Sequence, residues 1–204
     1  MKPRNVRPTL HTDRLRLEPV TDEHLPLLVE LNSDPEVMRF LTGRPATPEE
    51  TYAEWERRRG PQSDEGRGLG YWAGFEGESF AGWWSASHYA TDDTMAGLGY
   101  RLRREAWGRG LATEGCRAML AHAFTITGIE RVVAGTMAVN TRSRRVMEKL
   151  GMTHVRPWHE DWDDPLPGSE QGEVGYELTR ERWAARAPSG ARTPPAEPGH
   201  ARRA

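Results

Sequence analysis

A pair of glycines stands where a predicted strand meets a predicted helix. The strand is predicted over residues 98–102, and apolar residues recur at helical spacing between positions 111 and 124. Between them lies the run Trp107-Gly108-Arg109-Gly110-Leu111-Ala112-Thr113. Backbone N–H groups at the start of a helix have no intrahelical partners, and the helix dipole adds partial positive charge there. This segment therefore predicts a binding site for phosphate or diphosphate, to which three nearby arginines can add charge: Arg103, Arg104 and Arg109.

The spacing of the glycines excludes two other phosphate motifs. No Gly-Lys-Ser/Thr follows them, so the segment is not a P-loop. The third glycine of the dinucleotide fingerprint is missing, and no acidic residue ends a following strand about 20 residues later. A nicotinamide oxidoreductase is therefore a poor match. By itself the glycine pair is compatible with a tight turn as well as with an anion site.

The elements that must position this segment follow from hydrophobic periodicity and capping signals. Thr47 and Glu50 form a predicted capping box, and Asp34-Pro35 is a second helix start. The chain is predicted to run as a strand, three helices, three strands, and then helix, strand, helix and two strands, which is a mixed α/β arrangement. We predict one domain over residues 10–186, a flexible arm over 1–9 and a disordered tail over 187–204, where four prolines occur without a large apolar side chain.

Composition narrows the possible partners. Lys+Arg total 28 and Asp+Glu total 30, so the basic excess typical of nucleic-acid-binding domains is missing. No apolar run approaches the roughly 18 residues of a membrane span, and the N-terminal residues do not resemble a signal peptide. We therefore expect a cytoplasmic protein with no nucleic acid or membrane partner. The single cysteine, Cys116, excludes an internal disulfide, predicts core packing, and argues against a metal site.

The glycine segment resembles the acetyl-CoA signature of the GNAT superfamily, Gln/Arg-x-x-Gly-x-Gly/Ala, with Trp107 in the first position. Trp-Gly-x-Gly-x-Ala-Thr-Glu is similar to the form that the RimJ/RimL-like branch shows. Residues 12–17 together with 33–38 resemble the N-terminal block of that branch, and residues 140–152 resemble its C-terminal block. The resemblance covers about residues 9–186. It implies a GNAT fold: a mixed central sheet of about six or seven strands, splayed at the acetyl-CoA site and flanked by helices.

The resemblance also implies which residues bind acetyl-CoA, the expected co-substrate. Backbone groups of Leu102 and Arg103 would pair with the pantetheine arm, and N–H groups from Gly108 to Thr113 would hold the diphosphate. Asn140 would bind pantetheine, Ser143 would lie near the thioester sulfur, and Arg144 or Arg145 would reach a phosphate. Read without the family, Asn140 and Ser143 equally fit a helix N-cap and first turn. The implied coenzyme-binding set is Leu102, Arg103, Gly108, Arg109, Gly110, Leu111, Ala112, Thr113, Asn140, Ser143 and Arg145.

The reaction implied by the resemblance is direct attack of a neutral amine on the thioester, without a covalent enzyme intermediate. It needs an acceptor for the amine proton and a donor for the thiolate. Ser143 is the predicted donor, since the tyrosine that many members carry near it is missing. Members of the branch often carry glutamate at the position of Gly97 and within the stretch matching 151–156, and this chain has no carboxylate at either.

Because both carboxylates are missing, we predict that the base comes from the acidic loop 158–164. Glu160 is the first candidate, followed by Asp161 and His159; a solvated hairpin loop with two packed tryptophans is the alternative reading. Segment 163–170 is predicted to cover the acceptor pocket, which favours a small-molecule amine over a protein N-terminus. A catalytically silent acetyl-CoA-binding module is a further alternative. Trp83 and Trp84 are predicted to face opposite sides of a strand, one at the acyl site and one at a contact of a possible homodimer.

Overall fold

One eight-stranded sheet carries the elements of the candidate site. The computed structural model describes residues 7–59, 63–89, 91–126, 128–158 and 165–186. The strands run in the order β1-β2-β3-β4-β5-β6-β8-β7, and every adjacent pair is antiparallel except β5 and β6. Their bounds are β1 Leu10–His11, β2 Leu15–Pro19, β3 Gly70–Glu76, β4 Ser79–His88, β5 Met95–Leu102, β6 Arg131–Met137, β7 Thr153–Trp158 and β8 Glu173–Thr179.

Six α-helices flank the sheet in the described part of the chain, and two of them, α2 and α3, begin at the predicted capping signals. The Asp34 side chain accepts the Glu36 N–H at 2.9 Å, and the Thr47 and Glu50 side chains each accept the other's backbone N–H. The helices are α1 Leu25–Asn32, α2 Pro35–Met38, α3 Pro48–Arg59, α4 Leu111–Thr125, α5 Thr141–Lys149 and α6 Arg180–Ala184. Within the described ranges, no helix is long and apolar enough to cross a membrane.

The predicted mixed sheet with flanking helices is confirmed, although the number of strands differs. Among the residues that the structure describes, the sheet has eight strands where about six or seven were expected. The additional strand β1 is two residues long and pairs with β2 through Leu10↔Leu17. Alternation over two residues gives no periodic signal, so the pattern could not reveal this strand. Residues 1–6 of the predicted arm and the predicted tail 187–204 lie outside the described residues.

Two hydrophobic cores lie on opposite faces of the sheet. α4 packs its apolar stripe on one face, together with Trp72 and Trp84, while α1 and α3 cover the other face over Trp83. Trp83 and Trp84 do point to opposite faces, as predicted, but they are only 8% and 0% exposed. The expectation that one of them forms a subunit contact is therefore wrong, because both rings are interior. Cys116 is fully buried in the α4 core, as predicted.

β5 and β6 separate soon after they meet, which gives the predicted splay. Their parallel pairing consists of Met95↔Arg131, Ala96↔Val132 and Gly97↔Val133. Beyond Gly97, β5 continues to Leu102 beside β4 alone, and β6 continues beside β8 alone. A gap therefore opens between the two strands on the side of their C-terminal ends.

A buried ion network ties β5 to the helices on the face opposite α4. Arg101 is 7% exposed, and its guanidinium contacts the Glu54 carboxylate at 3.0 and 3.1 Å and the Asn32 side-chain oxygen at 2.5 Å. Arg58 binds the same carboxylate at 2.7 Å, and both guanidiniums lie over the Trp83 ring. Buried charges need such partners, because an unpaired one carries a large desolvation cost.

This network predicts an acid-sensitive fold. Burial by itself raises the pKa of Glu54, but the charges and hydrogen bonds of Arg101 and Arg58 outweigh it and lower the pKa from 4.5 to about 2. Because the folded pKa lies below the unfolded one, the carboxylate stabilises the protein above about pH 4.5, and this contribution is lost as the pH falls towards 2. We expect Glu54→Gln to lower the free energy of unfolding by about 3 kcal/mol at pH 7.

Urea unfolding between pH 3 and 7 measures this effect. The decline in stability on acidification should be smaller in the variant than in wild type, whereas Glu49→Gln, at an exposed position of the same helix, should retain the wild-type decline. A Glu54→Gln protein as stable as wild type at pH 7 would contradict the assignment.

Candidate functional site

The loop that joins β5 to α4 has the backbone expected of an anion site. Gly108 and Gly110 both adopt positive φ, +72° and +83°, and Gly110 is the N-cap of α4. A Cβ at Gly108 would meet nothing within 4 Å, so glycine is required there by the backbone angle and not by lack of space. The Glu114 N–H bonds the Gly110 carbonyl, and the earlier N–H groups of the helix start are available to a negatively charged ligand.

The start of α4 is held in place by the strand beneath it. The Trp84 indole N–H donates to the Ala112 carbonyl at 3.3 Å, and a Cβ at Gly115 would lie 2.4 Å from the same ring. The side chains of Leu111 and Thr113 are buried. Because these side chains point inward, a ligand on the outer side of the loop would contact mainly the backbone of these residues. Such a surface suits recognition by N–H groups.

The arginines around the loop are engaged with carboxylates. Arg109 contacts Glu76 at 2.8 Å, Arg104 contacts Asp34 at 2.8 Å, and Arg103 pairs with Glu30. The positive charge that the sequence predicted at this point is therefore largely balanced. On α5, Arg145 is exposed, while Arg144 donates to the Ala138 carbonyl and to the Tyr176 hydroxyl.

The edge of β5 that faces the gap carries backbone groups of alternate residues. The Arg103 N–H donates to the Ala81 carbonyl at 3.0 Å and so points towards β4. By alternation, the backbone N–H groups of Leu102 and Tyr100 point the other way, into the gap. The Leu102 carbonyl accepts the Trp107 indole N–H at 2.9 Å. Of the two predicted strand-end residues, Leu102 presents its amide to the gap, and Arg103 uses its own within the sheet.

The two predicted α5 residues lie beside the same gap. The Asn140 side-chain oxygen accepts the Ser143 N–H at 3.2 Å, so the N-cap reading of Asn140 is confirmed. The Ser143 hydroxyl oxygen accepts a hydrogen bond from the Tyr100 hydroxyl at 3.0 Å. Burial raises the pKa of Tyr100 strongly, although the hydrogen bond to Ser143 opposes the shift, so this phenol stays protonated at neutral pH.

The sequence does not reveal Tyr100 as a neighbour of Ser143, because the two residues lie on different elements, β5 and α5. A tyrosine hydroxyl does lie next to Ser143, but it comes from β5. The available signal was the alternation of Leu98, Tyr100 and Leu102, which places these side chains on the α4 face of β5. Sequence spacing alone does not show that this face meets Ser143, 43 residues later.

Two further features lie near these elements: a cleft beside α1 and α2, and the packing of segment 165–171. The cleft encloses about 360 Å³ between the α1–α2 turn and residues 103–105. A Cβ at Gly43 would lie 2.7 Å from Leu166, and one at Gly168 would lie 2.7 Å from Val139, so segment 165–171 packs on both the turn after α2 and the β6–α5 junction. The three predicted base candidates, His159, Glu160 and Asp161, lie outside the described residues.

Comparison with known proteins shows which family this chain is similar to. Residues 14–153 match the model of the acetyltransferase (GNAT) domain. The chain is 38% identical over 190 residues to the FsC-acetyl coenzyme A-N(2)-transacetylase of Aspergillus fumigatus. The alignment covers 87% of this chain and 79% of the relative.

Two solved enzymes share the fold at lower identity. RimL, the ribosomal L7/L12 alpha-N-protein acetyltransferase solved with coenzyme A, superposes with a TM-score of 0.68 at 19% identity, over 87% of this chain and 99% of RimL. The spermidine N-acetyltransferase of Vibrio cholerae, solved with CoA and spermine, gives 0.69 at 13% identity, over 85% of this chain and 99% of that one.

The family match fits the geometry of the site, because a glycine loop at a helix start and an open strand edge lie side by side, as a diphosphate and a pantetheine arm require. The resemblance recognised in the sequence is thereby confirmed. The chain belongs to the GNAT acetyltransferase family and is an N-acetyltransferase that uses acetyl-CoA.

Proposed function

We propose that this enzyme acetylates the amine of a small molecule. The observation that carries the proposal is the 38% identity to a relative named for transacetylation at an N(2) position, over most of both chains. The cleft of about 360 Å³ supports it, since sites for small ligands typically enclose about 300–1,000 Å³.

A panel of acceptors tests this proposal. The enzyme is incubated with acetyl-CoA and one acceptor at a time. The acceptors are FsC, which is the compound in the relative's name, α-amino acid derivatives, polyamines, amino sugars and N-terminal peptides. Mass spectrometry detects the added acetyl group. We expect the highest kcat/KM with a small molecule that carries an amine of the N(2) type. Faster acetylation of the peptides would favour a protein N-terminus as acceptor. Acetyl-CoA binding without turnover of any acceptor would favour the silent binding module.

In the proposed complex, the N–H groups from Gly108 to Thr113 hold the diphosphate of acetyl-CoA, and the free edge of β5 at Leu102 pairs with the pantetheine arm. The positive φ of both glycines and the early end of β5–β6 pairing support these roles. Arg145 is the better candidate for a coenzyme phosphate than Arg144, because Arg144 already binds the Ala138 carbonyl. Asn140 combines its capping role with a contact to pantetheine.

In the proposed reaction, the amine nitrogen attacks the thioester carbonyl, the C–S bond breaks, and coenzyme A leaves as a thiolate. The Tyr100 hydroxyl donates a hydrogen bond to the Ser143 oxygen, so the hydrogen of the Ser143 hydroxyl itself is available to the sulfur. A serine hydroxyl is much less acidic than a thiol, so Ser143 stabilises the thiolate by a hydrogen bond, and the proton that completes the thiol comes from solvent. Hydrogen bonds in such a chain strengthen one another.

This arrangement predicts that Tyr100→Phe lowers kcat by about tenfold, which corresponds to the loss of one hydrogen bond to developing charge. Ser143→Ala should lower kcat at least as much. The double variant should resemble Ser143→Ala, because Tyr100 acts through Ser143. Steady-state kinetics should give an unchanged KM for acetyl-CoA in each case. Tyr52→Phe, at an exposed position of α3, is the matched control. Full turnover by Tyr100→Phe would contradict the proposed relay of hydrogen bonds from Tyr100 through Ser143 to the sulfur.

The proposed base is Glu160, with Asp161 and His159 as competitors. The support is the acidic composition of loop 158–164 and the lack of a side chain at Gly97. We predict that Glu160→Gln lowers kcat and removes the acidic limb of its pH profile, with acetyl-CoA affinity unchanged in calorimetry. Asp161→Asn and His159→Gln serve as matched comparisons and should retain that limb. Unchanged turnover of Glu160→Gln at saturating acceptor would remove Glu160 from the mechanism.

A further inference from the structure

We propose that Arg14, in the turn between β1 and β2, is a positioning residue for acetyl-CoA. The inference rests on the proposed diphosphate loop and assigns a role to a residue nearly 100 positions away from it. Arg14 holds the backbone of the loop in its binding conformation and balances the one carboxylate in the first turn of α4. Neither role requires contact between Arg14 and the coenzyme.

Arg14 joins the loop and the helix start through its whole guanidinium. One terminal nitrogen donates to the Arg109 carbonyl at 2.9 Å. Nε and the other terminal nitrogen donate to the same carboxylate oxygen of Glu114, at 2.8 and 2.5 Å. The second oxygen of Glu114 accepts the Arg14 N–H at 2.9 Å and the Thr12 hydroxyl at 2.6 Å. Charge-assisted hydrogen bonds in such a fixed fork are among the strong ones.

The contact to Arg109 controls the direction of a peptide group. Arg109 lies between two glycines with positive φ, and glycine imposes little restriction on its backbone. A carbonyl oxygen that turned towards the bound diphosphate would repel it and would displace an N–H group from the site. By holding the Arg109 carbonyl, Arg14 keeps the loop ready for the anion, which reduces the cost of ordering it on binding.

The contact to Glu114 removes an electrostatic conflict. A carboxylate in the first turn of a helix is favourable towards the helix dipole, but it also lies close to where the diphosphate would bind. Partial burial by itself raises the pKa of Glu114, but the hydrogen bonds from Thr12 and Arg14 outweigh it and lower the pKa. Glu114 is therefore ionised at neutral pH. The positive charge of Arg14 cancels its repulsion of the coenzyme.

Arg14→Gln tests the assignment, with Arg16→Gln as the matched control. Arg16 lies two residues away and pairs with Glu18 instead of the loop. We expect Arg14→Gln to raise the KM and Kd for acetyl-CoA by about tenfold or more, which is about 1.4 kcal/mol or more of binding free energy. kcat at saturating acetyl-CoA should stay within about twofold, and Arg16→Gln should leave all three constants unchanged. The Arg14 side chain is 40% exposed, so its removal does not open the core.

A truncated donor separates positioning from general damage. Acetyl-pantetheine has the same thioester but no diphosphate, so the loss in kcat/KM caused by Arg14→Gln should disappear with this donor. An equal loss with both donors, or undiminished acetyl-CoA binding by Arg14→Gln, would overturn the role of Arg14. Calorimetry with coenzyme A alone keeps the test independent of the acceptor. Failure of wild-type protein to bind coenzyme A would instead overturn the proposed site.

Discussion

The early separation of β5 and β6 is the constraint on which the site depends. After three paired positions, the inner edge of β5 loses its neighbour strand, and its peptide groups need other partners, because an unpaired peptide group shielded from water is costly. The Trp107 indole supplies a partner for the Leu102 carbonyl. The glycine loop begins within six residues of Leu102, so the open edge and the helix start lie close together. The proposed complex uses both, because acetyl-CoA is a long ligand with an anionic end.

Side chains on the two faces of β5 have different roles: one face carries the proposed hydrogen-bond donor, and the other carries the buried ion network. Tyr100 turns towards Ser143, and the next residue, Arg101, turns the opposite way into the network with Glu54 and Asn32. Alternation along a strand makes this division unavoidable. The network joins α1 and α3 to the strand that holds the proposed thiolate contact, so α1, which lines the cleft, and the open edge of β5 are both attached to the same strand. Trp83 and Trp84 alternate in the same way on β4. Trp83 packs under α1 and α3, and Trp84 packs under α4, where its indole bonds the start of that helix.

Local signals predicted most of the fold and the glycine loop at the start of α4, but they could not predict the long-range contacts. Capping at Thr47, helical periodicity in α4 and the glycine pair all act within a few residues, so the sequence displays them directly. The contact of Arg14 with Glu114 spans 100 positions, and that of Tyr100 with Ser143 spans 43. No periodicity encodes such contacts. The arginines near the loop were predicted to add charge, because sequence spacing does not show carboxylates brought in from other elements.

The position of Gly97 explains why the base has to be sought outside β5. Gly97 is the last residue of β5 that pairs with β6, and a Cβ there would lie 2.7 Å from the Ser87 hydroxyl oxygen. Ser87 donates to the Gly97 carbonyl and so occupies the space that a longer side chain at 97 would need. A glutamate at this position would require Ser87 to move. The Ser87 hydroxyl therefore fills the space beside Gly97, and we propose that the proton acceptor comes from another element, the acidic segment 158–164.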